Sequence, residues 1–574
     1  MRVINFLSIL TLGISLVSAS PLHPRQAKQP PLMGKWDIVG DSKIATMHIF
    51  RANNKEIYMI DKLEVNKIKQ ANGNPAISGV YNIETNEVRA LNLATDTFCS
   101  AGSFFANGTL IHAGGAEAGL GYNVGFQSVR FITPSDPNPD WSEIPDGLST
   151  ARWYPAMASL PSGNVLILGG SAKGTGKNNA AINNPTYEIW TVGGAPRPQP
   201  VDFPFLVETM PYNLYPFLHV LPNFENKQLA FVFANTKGIV YDLDTATVVS
   251  KVPDLTGGIR SYPLTGNSLL LPLRPSQNYK PVVMICGGNT AMEIKNPALA
   301  SCGRIDPTET NPQWEMDNFG GTGRVMPDSV ILPTGKVLYL NGAQVGFAGY
   351  HQGPKTNPLY VSDNPAFTPF IYDPETKGWT TNLAPSTIAR LYHSVATLTS
   401  DGRVFVSGSN PQGAVELNSK YPTEYRVEMF TPPYLQTGLV RPVITSVAGT
   451  TKQLEDTRFP ATYKQALEVK VTKGQEKSFL TAAIIHSGFI THSQSFSQRY
   501  AMCKVISAEY DPNNPNDVTL NIEMPPNPTI IPPGPSYLYI LDNGVPATFS
   551  AQILLSINQD KTDSNWNAIL ALNK

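Results

Sequence analysis

A unit of about 50 residues recurs along the 574-residue chain, and this repetition limits the available folds more than any other feature. In each unit, an alternating apolar strand leads through a turn rich in Gly or Asn to a second apolar strand, which is the pattern of a β-hairpin. A Gly-Gly pair often follows the second strand. The units begin at positions 47, 99, 154, 215, 262, 326 and 392.

Seven hairpin units predict an all-β fold, a seven-bladed kelch-like β-propeller that we place at 33–437. The alternative, an array of β-sandwiches, does not account for such regular hairpins. After the last unit, short strands alternate with turns rich in Pro and Asn, and we expect 438–556 to form an immunoglobulin-like β-sandwich. The contents of 45 Gly and 50 Pro, with only 15% charged residues, favour short strands over long helices.

The N-terminus has the features of a secretory signal peptide, with the basic Arg2 before an apolar run at 6–17 that is too short to span a bilayer. We therefore expect a secreted, extracellular protein in which 1–19 is the signal peptide, 20–32 a linker or pro-segment and 557–574 a C-terminal tail. The formal net charge of −1 gives no electrostatic reason to bind nucleic acid or a membrane. We expect a monomer.

Four cysteines and one sequon bear on processing outside the cell. In an oxidising compartment, Cys286 and Cys302 could close a local loop as a disulfide. Cys99 and Cys503 then need separate explanations, and for Cys503 we expect a buried thiol. Asn107 begins an Asn-Gly-Thr sequon at a predicted hairpin turn and is a candidate glycosylation site.

Three chemically active residues share one position in the repeat. Cys99 and Tyr154 each lie nine residues before the turn glycine of their hairpin, and Tyr392 lies ten before. The innermost strand of every propeller blade begins on the same face of the central channel, so these residues should meet at the axis. A tyrosine at this position usually serves packing, and for Tyr215 and Tyr262 we expect packing or a place at the pocket mouth.

The converging residues favour a metal centre. His393 follows Tyr392 directly, and phenolate oxygen with imidazole nitrogen suits Cu(II). A second histidine is required, for which His492 in the predicted sandwich is the best candidate. His351, in a Gly-rich loop, is expected to border the substrate.

Four dispersed segments resemble those of the copper radical oxidases, the galactose oxidase and glyoxal oxidase group. They are Cys99, Arg-Trp-Tyr-Pro at 152–155, Arg-Leu-Tyr-His at 390–393 and Thr-His at 491–492. The resemblance spans nearly the whole mature chain. Within this group, the chain is most similar to fungal glyoxal oxidases. It shares their Arg-Trp-Tyr-Pro form, and it has no room for an N-terminal carbohydrate-binding domain.

The resemblance implies one copper ion per chain and a protein-derived Tyr–Cys radical cofactor. Tyr154 would be an equatorial copper ligand, joined to Cys99 by a thioether and carrying the radical. Tyr392 would be the axial phenol and the general base. His393 and His492 would complete the equatorial set.

Two departures from the family pattern concern the surroundings of the copper. Family members often stack an indole over the modified tyrosine, but the matching position here is Ala172, so Trp153 would have to supply the indole from another direction. Ser495 and Ser497 stand where the family more often has Asn and Asp. Both changes affect the groups that surround the ligands, and such groups set the orientation and basicity of the ligands.

The activity implied by the resemblance is oxidation of small aldehydes of the glyoxal or methylglyoxal type to carboxylic acids, with O2 reduced to H2O2. The resemblance also implies extracellular peroxidases that consume the H2O2 as partners. One alternative is a primary-alcohol or galactose-type oxidase with the same cofactor. A second alternative is a noncatalytic kelch propeller that binds cell-wall carbohydrate or protein.

Overall fold

The computed structural model describes residues 32–174, 176–192, 198–354 and 358–557. The predicted signal peptide at 1–19, and all but the last residue of the predicted 20–32 segment, lie outside these residues. So does the predicted C-terminal tail beyond position 557. Within the described ranges, no helix is both long enough and apolar enough to cross a membrane.

Seven blades of four antiparallel strands form the first domain, which confirms the predicted propeller. The innermost strands of blades 1 to 7 are His48–Arg51, Ala101–Phe104, Ala156–Ser159, Phe217–Val220, Gly266–Leu270, Asp328–Ile331 and Ser394–Leu398. The second strands are Glu56–Ile60, Leu110–Ala113, Val165–Leu168, Leu229–Ala234, Val283–Gly287, Val337–Leu340 and Val404–Gly408. The third strands are Ser78–Asn82, Val129–Ile132, Thr186–Trp190, Lys237–Asp242, Ser301–Ile305, Phe370–Asp373 and Arg426–Thr431.

The ring is closed by the N-terminal strand. The outermost strands of blades 1 to 6 are Val88–Ala90, Ser142–Ile144, Val201–Asp202, Thr247–Val252, Glu315–Asn318 and Gly378–Thr380. In blade 7, this place is taken by Lys35–Asp41, which pairs antiparallel with Arg426–Thr431. The two ends of the propeller segment therefore share one sheet.

Buried arginines tie together the strands within three of the blades. Arg152, Arg260 and Arg390 each donate a hydrogen bond from Nη1 to the carbonyl of the glycine that ends their own blade's second-strand segment, at 2.8, 2.6 and 2.6 Å. Arg152 also pairs with Glu188 at 2.9 Å, and Arg390 with Glu428 at 2.8 Å. These guanidinium groups satisfy carbonyls that the strand ladders leave open.

Two mainly antiparallel sheets joined by one long strand form the second domain, in agreement with the predicted sandwich, and Arg458–Thr462 pairs parallel with Ala551–Ser556 at the edge of one sheet. Arg499–Tyr510 pairs through its first half with Leu480–His486 and through its second half with Asp517–Glu523. It therefore crosses from one sheet to the other at a corner. The other strands are Val443–Val447, Arg458–Thr462, Ala466–Thr472, Gly534–Asp542, Val545–Pro546 and Ala551–Ser556.

The sandwich packs on the face of the propeller where the hairpin turns lie. Phe217 and Phe233 of blade 4 share one apolar core with sandwich residues such as Ile484 and Leu538. The remaining elements are the strands Ala343–Gly346 and Ser362–Pro365, the strands Phe489–Thr491 and Gln494–Phe496, the helix Phe205–Glu208, and the 3-10 helices Pro275–Gln277 and Pro433–Leu435. The sandwich thus shares apolar packing with blades 4 to 7 of the propeller.

Cys286 and Cys302, which are 16 residues apart in sequence, are bonded across neighbouring strands of blade 5. We expect Cys286→Ala/Cys302→Ala to lower the free energy of unfolding by about 3 kcal/mol, because the cross-link restricts the unfolded chain. Urea unfolding followed by tryptophan fluorescence would measure it. Cys503→Ala, at a buried free thiol, is the control. A loss no larger than that of the control would contradict the prediction.

Candidate metal centre

In several blades, the residue two positions before the innermost strand has a left-handed backbone. Cys99, Tyr154 and Tyr215 have φ values of 55°, 59° and 44°, and each stands two residues before its strand. Such a conformation at a non-glycine residue costs about 1–3 kcal/mol and is concentrated at functional sites. The amide of Tyr154 donates to the Cys99 carbonyl at 2.8 Å, and the amide of Tyr215 donates to the Tyr154 carbonyl at 3.0 Å. The three residues therefore follow one another around the axis.

His492 reaches the axis on a hairpin from the sandwich domain. The strands Phe489–Thr491 and Gln494–Phe496 enclose a two-residue turn, and the first of them pairs with the innermost strand of blade 1, His48–Arg51. His492 and Ser493 have φ values of 46° and 66°, as a type I′ turn requires at both central positions. The turn thus holds His492 at the tip of an inserted hairpin.

Gly102 makes room for this hairpin. A Cβ atom at position 102 would lie 2.5 Å from the Phe489 ring, a distance that real side chains do not tolerate. The Thr491 hydroxyl lies 2.6 Å from His492 Nδ1, and His492 Nε2 lies 3.4 Å from the Cys99 sulfur. The threonine therefore orients the imidazole so that its other nitrogen faces the centre.

Three phenols meet below the channel mouth. The Tyr154 hydroxyl lies 2.8 Å from those of both Tyr262 and Tyr392, and the latter two are 3.2 Å apart. All three side chains are buried. The structure thus brings Tyr154 and Tyr392 together as the sequence predicts, and adds Tyr262.

The two predicted histidine ligands lie beside the phenols. His393 stacks on Tyr392 with ring centroids 3.8 Å apart, and 4.7 Å separates the His393 and His492 centroids. One ligand atom from each of Cys99, His393 and His492 lies within 4.8 Å of the others. Neither ring nitrogen of buried His393 has a hydrogen-bond partner among the described residues. Such an imidazole is available to a metal ion.

Burial determines the electrostatics of these groups. It raises the pKa of Tyr154 and of Tyr392 well above the usual value, and it does the same to the pKa of the Cys99 thiol. It also lowers the pKa of His393 and of His492 well below the usual value. The protein alone therefore keeps every group neutral, and neutral imidazoles are the form that binds metal. A divalent cation would supply the charge that stabilises ionised phenols.

Trp153 packs directly on Tyr154. The two ring centroids are 4.0 Å apart, with the planes at 57°. A Cβ atom at position 174 would lie 3.3 Å from the Trp153 ring, so Gly174 lets the chain pass closely over the indole. The indole thus comes from the residue beside the tyrosine and not from the position of Ala172.

A cavity of about 420 Å³ leads from solvent to the phenols. Its walls are mostly aromatic or apolar, and its lining includes Phe98, Trp153, Tyr154, Tyr262, Met292, Phe347, Tyr350, His351, Gln352 and Tyr392. Tyr350 also contacts the metal-site residues, with centroids 5.4 Å from Tyr392 and 5.6 Å from His393. The predicted position of His351 beside this cavity is where the structure places it.

Sequence reasoning gave Tyr262 only packing or a place at the pocket mouth, and it did not assign Tyr350 to the site. A signal for Tyr262 exists in the sequence. Arg-x-Tyr occurs at 152–154, at 260–262 and at 390–392, always at the start of a blade, and the three tyrosines of this pattern are the three whose hydroxyls meet. No comparable repeat marks Tyr350, which lies in a loop of blade 6.

Two family models together match most of the chain. The model described as "Glyoxal oxidase N-terminus" matches residues 61–434, and "Galactose oxidase-like, Early set domain" matches residues 441–551. The first match covers the propeller that carries Cys99, Tyr154, Tyr392 and His393. The second covers the sandwich that carries His492.

Similar proteins support the same assignment. "Aldehyde oxidase GLOX" of Vitis pseudoreticulata is 32% identical over 550 residues, which cover 90% of this chain and 96% of that protein. "Aldehyde oxidase GLOX1" of Arabidopsis thaliana is 31% identical, with 90% of this chain and 83% of that protein covered. Both are plant proteins, and the predicted similarity to fungal enzymes in particular stays a prediction.

The fold also matches a solved structure described as "Novel fungal alcohol oxidase with catalytic diversity among the AA5 family, in complex with copper". The TM-score is 0.66 at 18% identity, covering 91% of this chain and all of that chain. At this identity, the match supports the fold alone. On the family match, the relatives and the donor set, the chain belongs to the glyoxal oxidase family of copper radical oxidases and is an oxidase.

Proposed function

We propose that the protein is an extracellular oxidase of small aldehydes that forms carboxylic acids and H2O2. The observation that carries the proposal is the meeting of Cys99, two phenols and two histidines in one buried centre at the propeller axis. The Tyr154 amide donates to the Cys99 carbonyl at 2.8 Å, and this proximity supports a Tyr154–Cys99 thioether.

The donor set fits copper, because imidazole nitrogen and phenol oxygen suit Cu(II). Tyr154, Tyr392, His393 and His492 would hold the ion, which when bound supplies one-electron redox chemistry and a Lewis-acidic position for the substrate oxygen. The four side chains lie close together in the structure, as the distances between their hydroxyls and rings show. Copper is therefore the metal we assign to the site.

Each surrounding residue then has a defined task. Tyr392, in the ionised form that a bound cation would stabilise, would accept the proton of the substrate hydroxyl, as its place at the cavity floor allows. Tyr154, modified by Cys99, carries the oxidising equivalent and takes the hydrogen atom from the substrate carbon. Trp153 covers the Tyr154 ring and keeps water from it. The overall reaction balances: an aldehyde hydrate and O2 give a carboxylic acid and H2O2.

The cavity supports a small, uncharged substrate. Among the described residues that line it, no lysine or arginine is present to hold an anion, and the aromatic walls favour compact molecules. The names of the plant relatives, aldehyde oxidases, point the same way. A primary alcohol would meet the same phenols at the cavity floor. Oxidation of alcohols is therefore the alternative activity to be tested.

Mass spectrometry and a substrate panel test the proposal. After the purified protein is loaded with copper in the presence of O2, the peptides that contain Cys99 and Tyr154 should be linked and lighter by about two hydrogens than the separate peptides. A peroxide-coupled assay should then show faster turnover of glyoxal and methylglyoxal than of galactose or benzyl alcohol. Unlinked peptides after full loading would favour a noncatalytic propeller. Faster turnover of the alcohols would favour an alcohol oxidase.

We expect His492→Ala to weaken copper binding by about a hundredfold or more, because it removes a ligand held on a rigid turn. Competition with a chromophoric chelator measures the change. His219→Ala is the matched control, since His219 lies in the innermost strand of blade 4 and its Nε2 lies 2.7 Å from the Ser268 hydroxyl. Equal affinity in both variants would contradict the assignment of His492.

A further inference from the structure

A charged pair of side chains to which the reaction gives no task lies buried beside the metal centre. Lys62 and Glu64 follow the second strand of blade 1, and both are almost completely shielded from solvent. The Lys62 ammonium lies 2.6 Å from the Glu64 carboxylate. An ion pair at this depth is seldom more stable than an apolar pair of the same volume, because both charges lose their hydration. The pair therefore needs an explanation other than the stability of the fold.

The carboxylate of Glu64 holds a residue of blade 7 that is bonded to Tyr392. Asn410 Nδ2 donates to both carboxylate oxygens of Glu64, at 3.0 and 2.8 Å. The backbone amide of Asn410 donates to the Tyr392 carbonyl at 2.9 Å, and the preceding amide, of Ser409, donates to the His393 carbonyl at 3.1 Å. Glu64 thus anchors, from blade 1, the segment of blade 7 that bonds the backbone of two predicted copper ligands.

The ammonium of Lys62 lies over an aromatic ring that packs on the same two ligands. Lys62 Nζ is 5.6 Å from the centroid of the Tyr350 ring, which is within the range of a cation–π contact. That ring lies edge-on to both Tyr392 and His393. Lys62 Nζ also donates to the Gly413 carbonyl of blade 7 at 3.3 Å. The cation is therefore held between blades 1, 6 and 7.

The neighbouring acid, Asp61, does not disturb the balance of charge in this pair. Burial raises the pKa of Asp61 well above its usual value, and the charge of Glu64 acts in the same direction. Asn66 Nδ2 donates to Asp61 at 2.8 Å. Asp61 is thus favoured in its neutral form, so one ammonium balances one carboxylate. Removal of Lys62 and Glu64 together therefore leaves no unpaired charge.

We propose that Glu64 and Lys62 are positioning residues of the metal centre. Glu64 acts on the Tyr392 backbone through Asn410. Lys62 acts on the Tyr392 ring through Tyr350. The proposal rests on the proposed function in so far as Tyr392 would bind copper. Groups that orient metal ligands typically change the affinity for the metal by ten- to a hundredfold when they are lost.

The variant Lys62→Met/Glu64→Met tests the proposal, because it removes both charges at similar volume. Competition with a chromophoric chelator should show copper binding about tenfold weaker than in the wild type. The Cu(II) electron paramagnetic resonance spectrum should shift as well, since the ligands are held less firmly. A role in stability alone would leave that spectrum unchanged. Wild-type affinity and spectrum in this variant would overturn the proposal.

A second ion pair of the same loop provides the matched control. Lys67 pairs with Asp41 at 2.6 Å, and its Nζ lies 4.1 Å from the centroid of the Tyr425 ring, which is not part of the centre. Lys67→Met/Asp41→Asn should keep the copper affinity and the spectrum of the wild type. Equal changes in the control and in the test variant would overturn the proposal.

A milder variant covers the case in which Lys62→Met/Glu64→Met does not fold. Lys62→Met/Glu64→Gln keeps an amide oxygen as acceptor for Asn410 and removes the cation beside Tyr350. We expect its copper binding to weaken severalfold, with a smaller shift of the spectrum. Unchanged affinity and spectrum would again overturn the proposal.

Hydrogen exchange of the metal-free protein separates this proposal from the proposed function. The Asn410 amide is the donor to the Tyr392 carbonyl, so in Lys62→Met/Glu64→Met its exchange should be about tenfold faster. The amides of Val404–Gly408, in the second strand of the same blade, should exchange as in the wild type. Unchanged exchange at Asn410, or equally faster exchange in the strand, would overturn the proposal even if the oxidase is active. Faster exchange at Asn410 alone would support it even if no turnover is seen.

Discussion

Tyr154→Phe is expected to lower kcat by about ten-thousand-fold, because under the proposed function it removes the hydroxyl that would bind the metal and hold the oxidising equivalent. The same hydroxyl lies 2.8 Å from both Tyr262 and Tyr392, so the change also breaks the group of three phenols. Aldehyde turnover under peroxide-coupled detection measures kcat. The peptide mass of Cys99 and position 154 shows in parallel whether the cross-link still forms.

Tyr215→Phe is the matched control for this experiment. Tyr215 has the same left-handed backbone in the next blade, but its hydroxyl donates to the Ser100 carbonyl at 2.7 Å and takes no part in the group of phenols. We expect kcat to fall less than tenfold, with a loss of about 1 kcal/mol in stability from the missing hydrogen bond. Equal losses of activity in both variants would contradict the assignment of the oxidising equivalent to Tyr154.

Arg152→Met should lower the free energy of unfolding by about 3–5 kcal/mol, because it leaves Glu188 buried without its cation. Both side chains are fully buried and lie 2.9 Å apart. Arg152 also donates to the carbonyls of Gly169 and Thr186. The segment that leads into the innermost strand of blade 3 would therefore lose its hydrogen bonds to the second and third strands of that blade. Urea unfolding monitored by tryptophan fluorescence gives the change.

The double variant Arg152→Met/Glu188→Met tests whether the unpaired charge is the cause. Removal of both charges should recover a large part of the loss, since an apolar pair of similar volume avoids the cost of an isolated buried carboxylate. A double variant that is less stable than Arg152→Met would show that the lost hydrogen bonds, and not the charge, dominate. In that case the arginine would act mainly as a link between strands.

The arginines connect the stability of the fold to the geometry of the centre. Arg152, Arg260 and Arg390 each stand two residues before a tyrosine of the group of phenols, and each is bonded to the end of a strand in its own blade. Because the arginine is fixed by the sheet, the tyrosine two residues later is fixed as well. The same repeated feature therefore builds the blades and aims the phenols at the axis.

The sequence predicted those parts of the metal centre that follow from the repeat of hairpin units. The hairpin units gave the number of blades, which the structure confirms. Their common register placed Cys99, Tyr154 and Tyr392 on one face of the axis, because innermost strands of a propeller begin at equivalent points. His393 followed from its place beside Tyr392. Only a local pattern and the symmetry of the repeat were needed for these expectations.

Contacts between distant segments had no such local signal. The hairpin with His492 adds strands to blade 1, more than 400 residues earlier in the sequence, and it fits only because Gly102 has no side chain. The closure of blade 7 by Lys35–Asp41, which pairs with Arg426–Thr431, is equally non-local. Sequence periodicity reports which face of a strand is apolar but not which strand lies beside it.

The sequence by itself therefore determined the class of fold, the number of blades and the kinds of side chain at the axis, because hairpin periodicity and turn chemistry act over a few residues. Tertiary structure alone decided that the Tyr262 hydroxyl bonds those of the two predicted phenols and that Tyr350 packs on Tyr392. These features depend on how rings from different blades and loops pack within a few ångströms of one another. That packing is set by the summed geometry of the blades and not by any one segment.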